Sequence, residues 1–277
     1  MTAIAIWCNK EIEGNPGLWI VADSRITSIE SFVLLEGASK IFPLPVICRG
    51  PDSNGFFSQI THTQTYGYCF AGSTLMGQNS YLAIAPLLSS LILTATHFPA
   101  MTDIADFVLK HLEQTHSEYQ VRVGPNSMFE AVLFGWCPMK NQLSTFHFIP
   151  KFNGEVYSMT CDPHENMQKH DFLYLGDEKD SLRKRITEAF NCQEIPGRPV
   201  SRIPRYVIQD CVDDETFPTI GGDIQLGIAS KFGFQPLLLC KPRVQGQPDA
   251  FMSYLGRELT AELTTVGPAR VGTPGIA

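Results

Sequence analysis

A hydroxyl and a free amine on one residue make a nucleophile with its own base. Thr2 becomes such a residue if Met1 is removed, and threonine is small enough for methionine aminopeptidase to act before it. It heads an apolar run, Thr2-Ala3-Ile4-Ala5-Ile6-Trp7. Three further segments place polar residues at the ends of apolar runs. Asp23-Ser24-Arg25-Ile26-Thr27 closes Leu18-Trp19-Ile20-Val21-Ala22. Ser39-Lys40-Ile41-Phe42-Pro43-Leu44 follows Phe32-Val33-Leu34-Leu35, and Ala71-Gly72-Ser73 closes Tyr66-Gly67-Tyr68-Cys69-Phe70.

This order resembles the proteasome β-subunit-like family of N-terminal-nucleophile hydrolases, the bacterial proteasome-related peptidases among them. The likeness is dense over residues 2–75 and thinner beyond. It implies that the Thr2 hydroxyl attacks a peptide carbonyl, that Lys40 is the cation lowering the energy of its deprotonation, and that Asp23 holds that lysine as ammonium. It implies further that the Gly72 N–H helps to hold the oxyanion and that Thr27 pairs with extended substrate. Phe70 would line the pocket for the residue before the cleaved bond, and Arg25 would be structural.

The chain departs from the family pattern in two places. A Gly-Ser-Gly turn is expected before the third helix, where Leu175-Gly176-Asp177-Glu178-Lys179 stands. Asp177 is therefore the match, an acid that could accept a hydrogen bond from the terminal amine and keep it protonated. An Asp and a Ser are expected after the fourth helix, within Asp213–Gly222, where Asp214 and Thr219 are the stand-ins. The segments around 137–170 and 191–203 are longer than in minimal bacterial members.

The elements that would position these residues follow from periodicity. Strands are expected at 2–8 and 17–23, joined by Glu13-Gly14-Asn15-Pro16-Gly17. Further strands fall at 32–35, 44–48, 66–71, 128–136, 142–149, 153–160, 171–176, 223–230, 234–240 and 250–255. Helices are expected over about 74–94, from Thr102 as a cap, through Leu182, Ile186, Ala189 and Phe190, and over about 202–213. Helices grouped between blocks of strands give an α+β class. The resemblance makes it a four-layer αββα sandwich, one domain over 1–263 with a mobile tail at 264–277.

Of 277 residues, 44 % are hydrophobic and 18 % charged, which is enough apolar material for one large core. A net charge of −7 argues against nucleic acid or an anionic membrane as main partner. No Asp, Glu, Lys or Arg occurs between Asp52 and Asp103, yet the apolar run 81–94 is shorter than the ~20 residues a membrane span needs. A helix buried on several sides, in the core or between subunits, suits it better. Eight scattered cysteines with no C-x-x-C pair, and no signal-peptide pattern, make a reducing cytoplasm the default. Cys161, Asp162, His164 and His170 lack a standard metal-ligand spacing. No phosphate-binding glycine loop and no Gly-x-Ser-x-Gly elbow occurs.

The expectation is thus a cytoplasmic threonine-type endopeptidase without metal or cofactor, cleaving peptides or unfolded chains inside a self-assembled homo-oligomeric ring, with any ATPase unfoldase a separate protein. The alternatives are a catalytically silent ring or scaffold protein and a small-amide amidohydrolase.

Overall fold

The structure, a computed structural model, describes residues 2–11, 14–28, 30–93, 97–192, 197–241 and 251–276. The chain divides into two compact units that interleave in sequence: 1–41, 169–228 and 235–277 form one, and 42–168 with 229–234 form the other.

The first unit holds the N-terminal hairpin. Strand Ala3–Asn9 is an unbroken apolar run up to its last residue, and all seven residues are buried. A strand with that composition belongs inside a sheet with both faces out of water. Its neighbours are Gly17–Ala22 and Phe172–Gly176, both antiparallel. The sheet continues through Gln225–Ser230, Gly233–Lys241, Phe251–Tyr254 and Arg257–Glu258. Helices Lys179–Asn191 and Ile203–Asp213 supply Leu182, Ile186, Phe190, Ile208 and Cys211 to a core shared with Ala3, Ala5, Trp7, Val21 and Tyr174. Each large side chain buried there contributes about 1.5–3 kcal/mol.

The second unit is built on a six-stranded sheet in the order Tyr157–Glu165, Gln142–Phe152, Phe129–Cys137, Gln59–Gly72, Ile41–Gly50, Leu91–Ile92. Tyr66, Tyr68 and Phe70 alternate onto the face that receives helices Thr74–Leu88 and Met101–Val123. The latter helix offers Met101, Ile104, Ala105, Val108, Leu112 and His116 as one stripe. Its first turn is closed by the Asp103 carboxylate, which accepts the Ala100 N–H at 2.8 Å, not by the Thr102 expected from sequence.

The architecture corrects the expectation of a four-layer αββα sandwich. The described residues form eighteen strands against five helices, arranged as two strand-rich units, and no four-layer stack is evident in them. Helices clustered between blocks of strands say which elements follow one another, not how sheets stack. Helix Thr74–Leu88 ends six residues before the expected 94, which lies outside the described residues; Pro86 withholds a backbone N–H near its end, and Leu91–Ile92 instead pairs parallel to Cys48–Arg49. Within 264–277, Thr265–Val266 pairs with Ala269–Arg270, and Gly275–Ile276 lies parallel to Leu238–Leu239. Among the described residues, no helix is long and apolar enough to cross a membrane.

Candidate functional site

Thr2 opens the buried hairpin and is 3 % exposed. Its carbonyl oxygen accepts the Asp177 N–H at 2.7 Å. Such closeness requires Gly176 between the two strands. Gly176 has φ +101°, and a Cβ on it would collide with the Thr2 carbonyl oxygen.

Asp23 leaves the hairpin's second strand and turns back on its start. Its N–H donates to the Ala3 oxygen at 3.1 Å, and its Oδ1 accepts the Ala3 N–H at 2.9 Å. The same Oδ1 accepts the Lys40 ammonium at 2.7 Å. Oδ2 accepts the N–H groups of Arg25 and Gly221, both at 3.2 Å. Every donor points at one buried carboxylate, the arrangement that lets an ion pair persist away from water. Burial pushes the Lys40 ammonium down from the ordinary lysine range, and the Asp23 carboxylate opposes that shift by charge and by hydrogen bonding.

Asp177 stands on the other side of the Thr2 strand. Burial pushes its carboxyl above the usual range, and a hydrogen bond from the Thr219 side chain opposes the shift. Its Oδ2 is buried and has no hydrogen-bond partner among the described residues. The Tyr174 hydroxyl donates to the Asp177 carbonyl at 2.5 Å and fixes the turn.

Arg25 lies over Gly221, where any Cβ would strike its guanidinium. It grips Glu36 with two hydrogen bonds of 3.0 Å and donates to the Pro218 carbonyl at 3.1 Å. Thr27 is buried in the two-residue strand Ile26–Thr27, and its hydroxyl oxygen has no partner among the described residues.

The structure therefore gathers Thr2, Asp23, Lys40 and Asp177, with Thr219 beside Asp177. It does not bring in Asp214. That residue caps helix Ile203–Asp213 through its backbone, is exposed, and precedes Glu215 in a left-handed turn. The turn passes through solvent before Thr219 returns to the interior. Gly72 and Phe70 belong to the other unit. Gly72 ends its strand at φ +96° against the Met128 carbonyl. Phe70 is 1 % exposed within that unit's core, stacked on Phe42 and covering Gly77.

Sequence reasoning passes over Gln225. Its side-chain oxygen accepts the Lys40 N–H at 3.0 Å, and its amide donates to the carbonyls of Asp23 at 3.0 Å and Ala38 at 2.7 Å. One side chain thus fixes the backbone of both charged residues. The available signal is a polar residue at the head of the strand Gln225–Ser230, before its apolar stretch Leu226–Ala229. Ser24 does similar work, donating to the Glu36 carbonyl at 2.6 Å and accepting the Asp223 N–H at 2.8 Å. Among the described residues, no group of three or more His, Cys, Asp or Glu side chains is placed to hold a metal ion.

Comparison with protein-family models gives no match, and no curated protein matches the chain. Solved structures do. Anbu (Gly-1) mutant from Hyphomicrobium sp. strain MC1 is 13 % identical with a TM-score of 0.53, over 92 % of this chain and 88 % of that one. Anbu (ancestral beta-subunit) from Yersinia bercovieri is 13 % identical with a TM-score of 0.54, over 85 % and 86 %. The helical assembly of the Anbu complex from Pseudomonas aeruginosa gives 11 % and 0.55, over 92 % and 87 %. These likenesses show the fold. They correct the resemblance drawn from sequence motifs: no family model carries an assignment to the N-terminal-nucleophile hydrolases, and the likeness is to Anbu, the ancestral beta-subunit.

Proposed function

We propose that this chain is the repeating subunit of a proteasome-related homo-oligomeric assembly. The observation that supports this reading is the likeness of fold to Anbu chains across 85–92 % of the sequence, one of them solved as a helical assembly. Electron micrographs of the purified protein test it. Regular rings or helical arcs are expected, and a uniform field of single 30.8 kDa particles would refute the reading.

A second reading, favoured by the buried Asp23–Lys40 pair beside the Thr2–Ala3 peptide, adds peptide hydrolysis to that assembly. A fixed cation near a hydroxyl lowers the energy of the alkoxide that attacks a carbonyl. Cleavage of the Met1–Thr2 bond would supply the amine as base. Substrates would be extended peptides or unfolded chains, and folded ones would need a separate ATPase unfoldase. Intact mass before and after exposure to a peptide epoxyketone, a reagent that needs both the hydroxyl and the amine, reads this out. One adduct on a chain lacking Met1, absent from Thr2→Ala, is the expected result. Retained Met1 with no adduct leaves a catalytically silent assembly.

A further inference from the structure

The strand that starts beside Thr2 ends, within the first unit, at a cavity of about 260 Å³. Trp7, Cys8, Phe190 and Val200 give it apolar walls. Burial pushes the Cys8 thiol above its usual range, so it stands there as a neutral group. Val200 and Ser201 belong to the single turn Val200–Arg202 that leads into helix Ile203–Asp213. That turn is fastened to the strand: the Ser201 carbonyl accepts the Trp7 indole N–H at 2.7 Å and the Asn9 side-chain amide at 3.2 Å. The walls are thus fixed in advance of any ligand.

The polar groups of the cavity are unevenly satisfied. His170 has φ +74°, a conformation that non-glycine residues seldom adopt, and its ring stacks on Phe190 at 4.7 Å. Its Nε2 is buried with no hydrogen-bond partner among the described residues. A ring nitrogen left so is costly, and a ligand that pairs with it recovers that cost. Lys10 and Lys169 also line the cavity and are exposed, which places them at its mouth; neither side chain has a hydrogen bond or ion pair among the described residues. Glu11, the acid of the lining, is already engaged: Arg202 donates to it at 2.7 Å and 3.0 Å and the Ser201 hydroxyl at 2.9 Å. Asp171 also acts on Cys8 but is not in the lining.

We propose that this cavity is a binding site for a small aromatic carboxylate. The ring lies against Trp7, Phe190 and Val200, and the carboxylate accepts from His170 Nε2–H and from the two lysines. The volume, below the range of drug-sized pockets, limits the body to about one ring. A cationic ligand would be repelled by the lysines, and a purely apolar one would leave the imidazole nitrogen unpaired. The site lies apart from Thr2. Strand Ala3–Asn9 spans roughly 20 Å between the two. Its partner Phe172–Gly176 likewise begins just past His170 and ends beside Asp177. The proposal stands independently of the assembly and hydrolysis readings.

The test is saturation-transfer NMR on the full chain with 3-phenylpropionate, alongside its neutral analogue 3-phenylpropionamide. The carboxylate is expected to bind with a dissociation constant of about 1 mM or lower, and the amide about tenfold more weakly. The double variant Lys10→Ala/Lys169→Ala alters two exposed side chains and should keep the wild-type circular dichroism spectrum. It is expected to lose most of the preference for the carboxylate. Val200→Phe fills the cavity and should abolish binding of both; if it fails to fold, the lysine variant and the amide still decide. Thr2→Ala should bind as the wild type does. No saturation transfer at about 10 mM probe overturns the site. Equal binding of carboxylate and amide overturns the ligand class. Binding that survives in folded Val200→Phe, or that is lost in Thr2→Ala, places the ligand elsewhere and overturns the assignment to this cavity.

Discussion

The Lys40 ammonium sits 2.7 Å from Asp23 Oδ1, with side chains 2 % and 0 % exposed. Breaking a buried pair is far more costly than its presence is stabilising, because the surviving charge stays behind. Asp23→Ala should destabilise the protein by about 3–5 kcal/mol. Lys40→Met should be milder, since Asp23 keeps the N–H groups of Ala3, Arg25 and Gly221. Urea unfolding of the two variants checks the ranking. Equal effects would mean that the backbone donors contribute little.

Gln225→Leu keeps the side-chain volume and removes three hydrogen bonds at once. Each backbone group left unpaired costs about 1–3 kcal/mol. A loss of at least about 3 kcal/mol is expected by the same measurement. A loss under about 1 kcal/mol would show that water or a backbone shift replaces the amide.

Gly176→Ala tests the close approach of the two strands at Thr2. The residue has φ +101°, and its Cβ would occupy the space of the Thr2 carbonyl oxygen. The expected result is a cooperative fall in melting temperature and loss of amide-exchange protection at Ala3 and Asp177. A wild-type exchange pattern would contradict the described register of Ala3 with Gly176.

The fold is legible in the sequence where local pattern determines it. The hairpin's unbroken apolar runs give strands at Ala3–Asn9 and Gly17–Ala22 within a residue or two of expectation. Helices Lys179–Asn191 and Ile203–Asp213 likewise follow their apolar period. Non-local choices are not legible. The mostly polar half of Gln59–Gly72 extends that strand seven residues before the expected start, because pairing and not composition holds it. The pairing of Ala3–Asn9 with Phe172–Gly176, which sets Asp177 against Thr2, joins segments far apart in the chain. The register of the Asp213–Gly222 turn depends on a left-handed Glu215, which no pattern announces.

His116 provides a pH handle on stability. It is 1 % exposed, its Nε2 has no hydrogen-bond partner among the described residues, and burial pushes its pKa below the ordinary 6.5. The unfolded chain therefore binds a proton on this imidazole more readily than the folded one. Its contribution to stability is fully present above pH 6.5 and is lost as the pH falls from 6.5 toward the lower folded value. The slope reaches at most about 1.4 kcal/mol per pH unit for one group. His62 and His164 shift in the same direction, so the comparison of wild type with His116→Phe isolates the His116 share. Urea unfolding at pH 7.5 and 5.5 should show a smaller acid loss in the variant; identical losses would contradict a buried, neutral His116.

The central claim is self-assembly, and sedimentation velocity of the untagged wild type over a hundredfold range of concentration tests it most directly. The account predicts discrete species at multiples of 30.8 kDa that grow at the expense of the monomer as concentration rises. A single 30.8 kDa boundary at every concentration would contradict it.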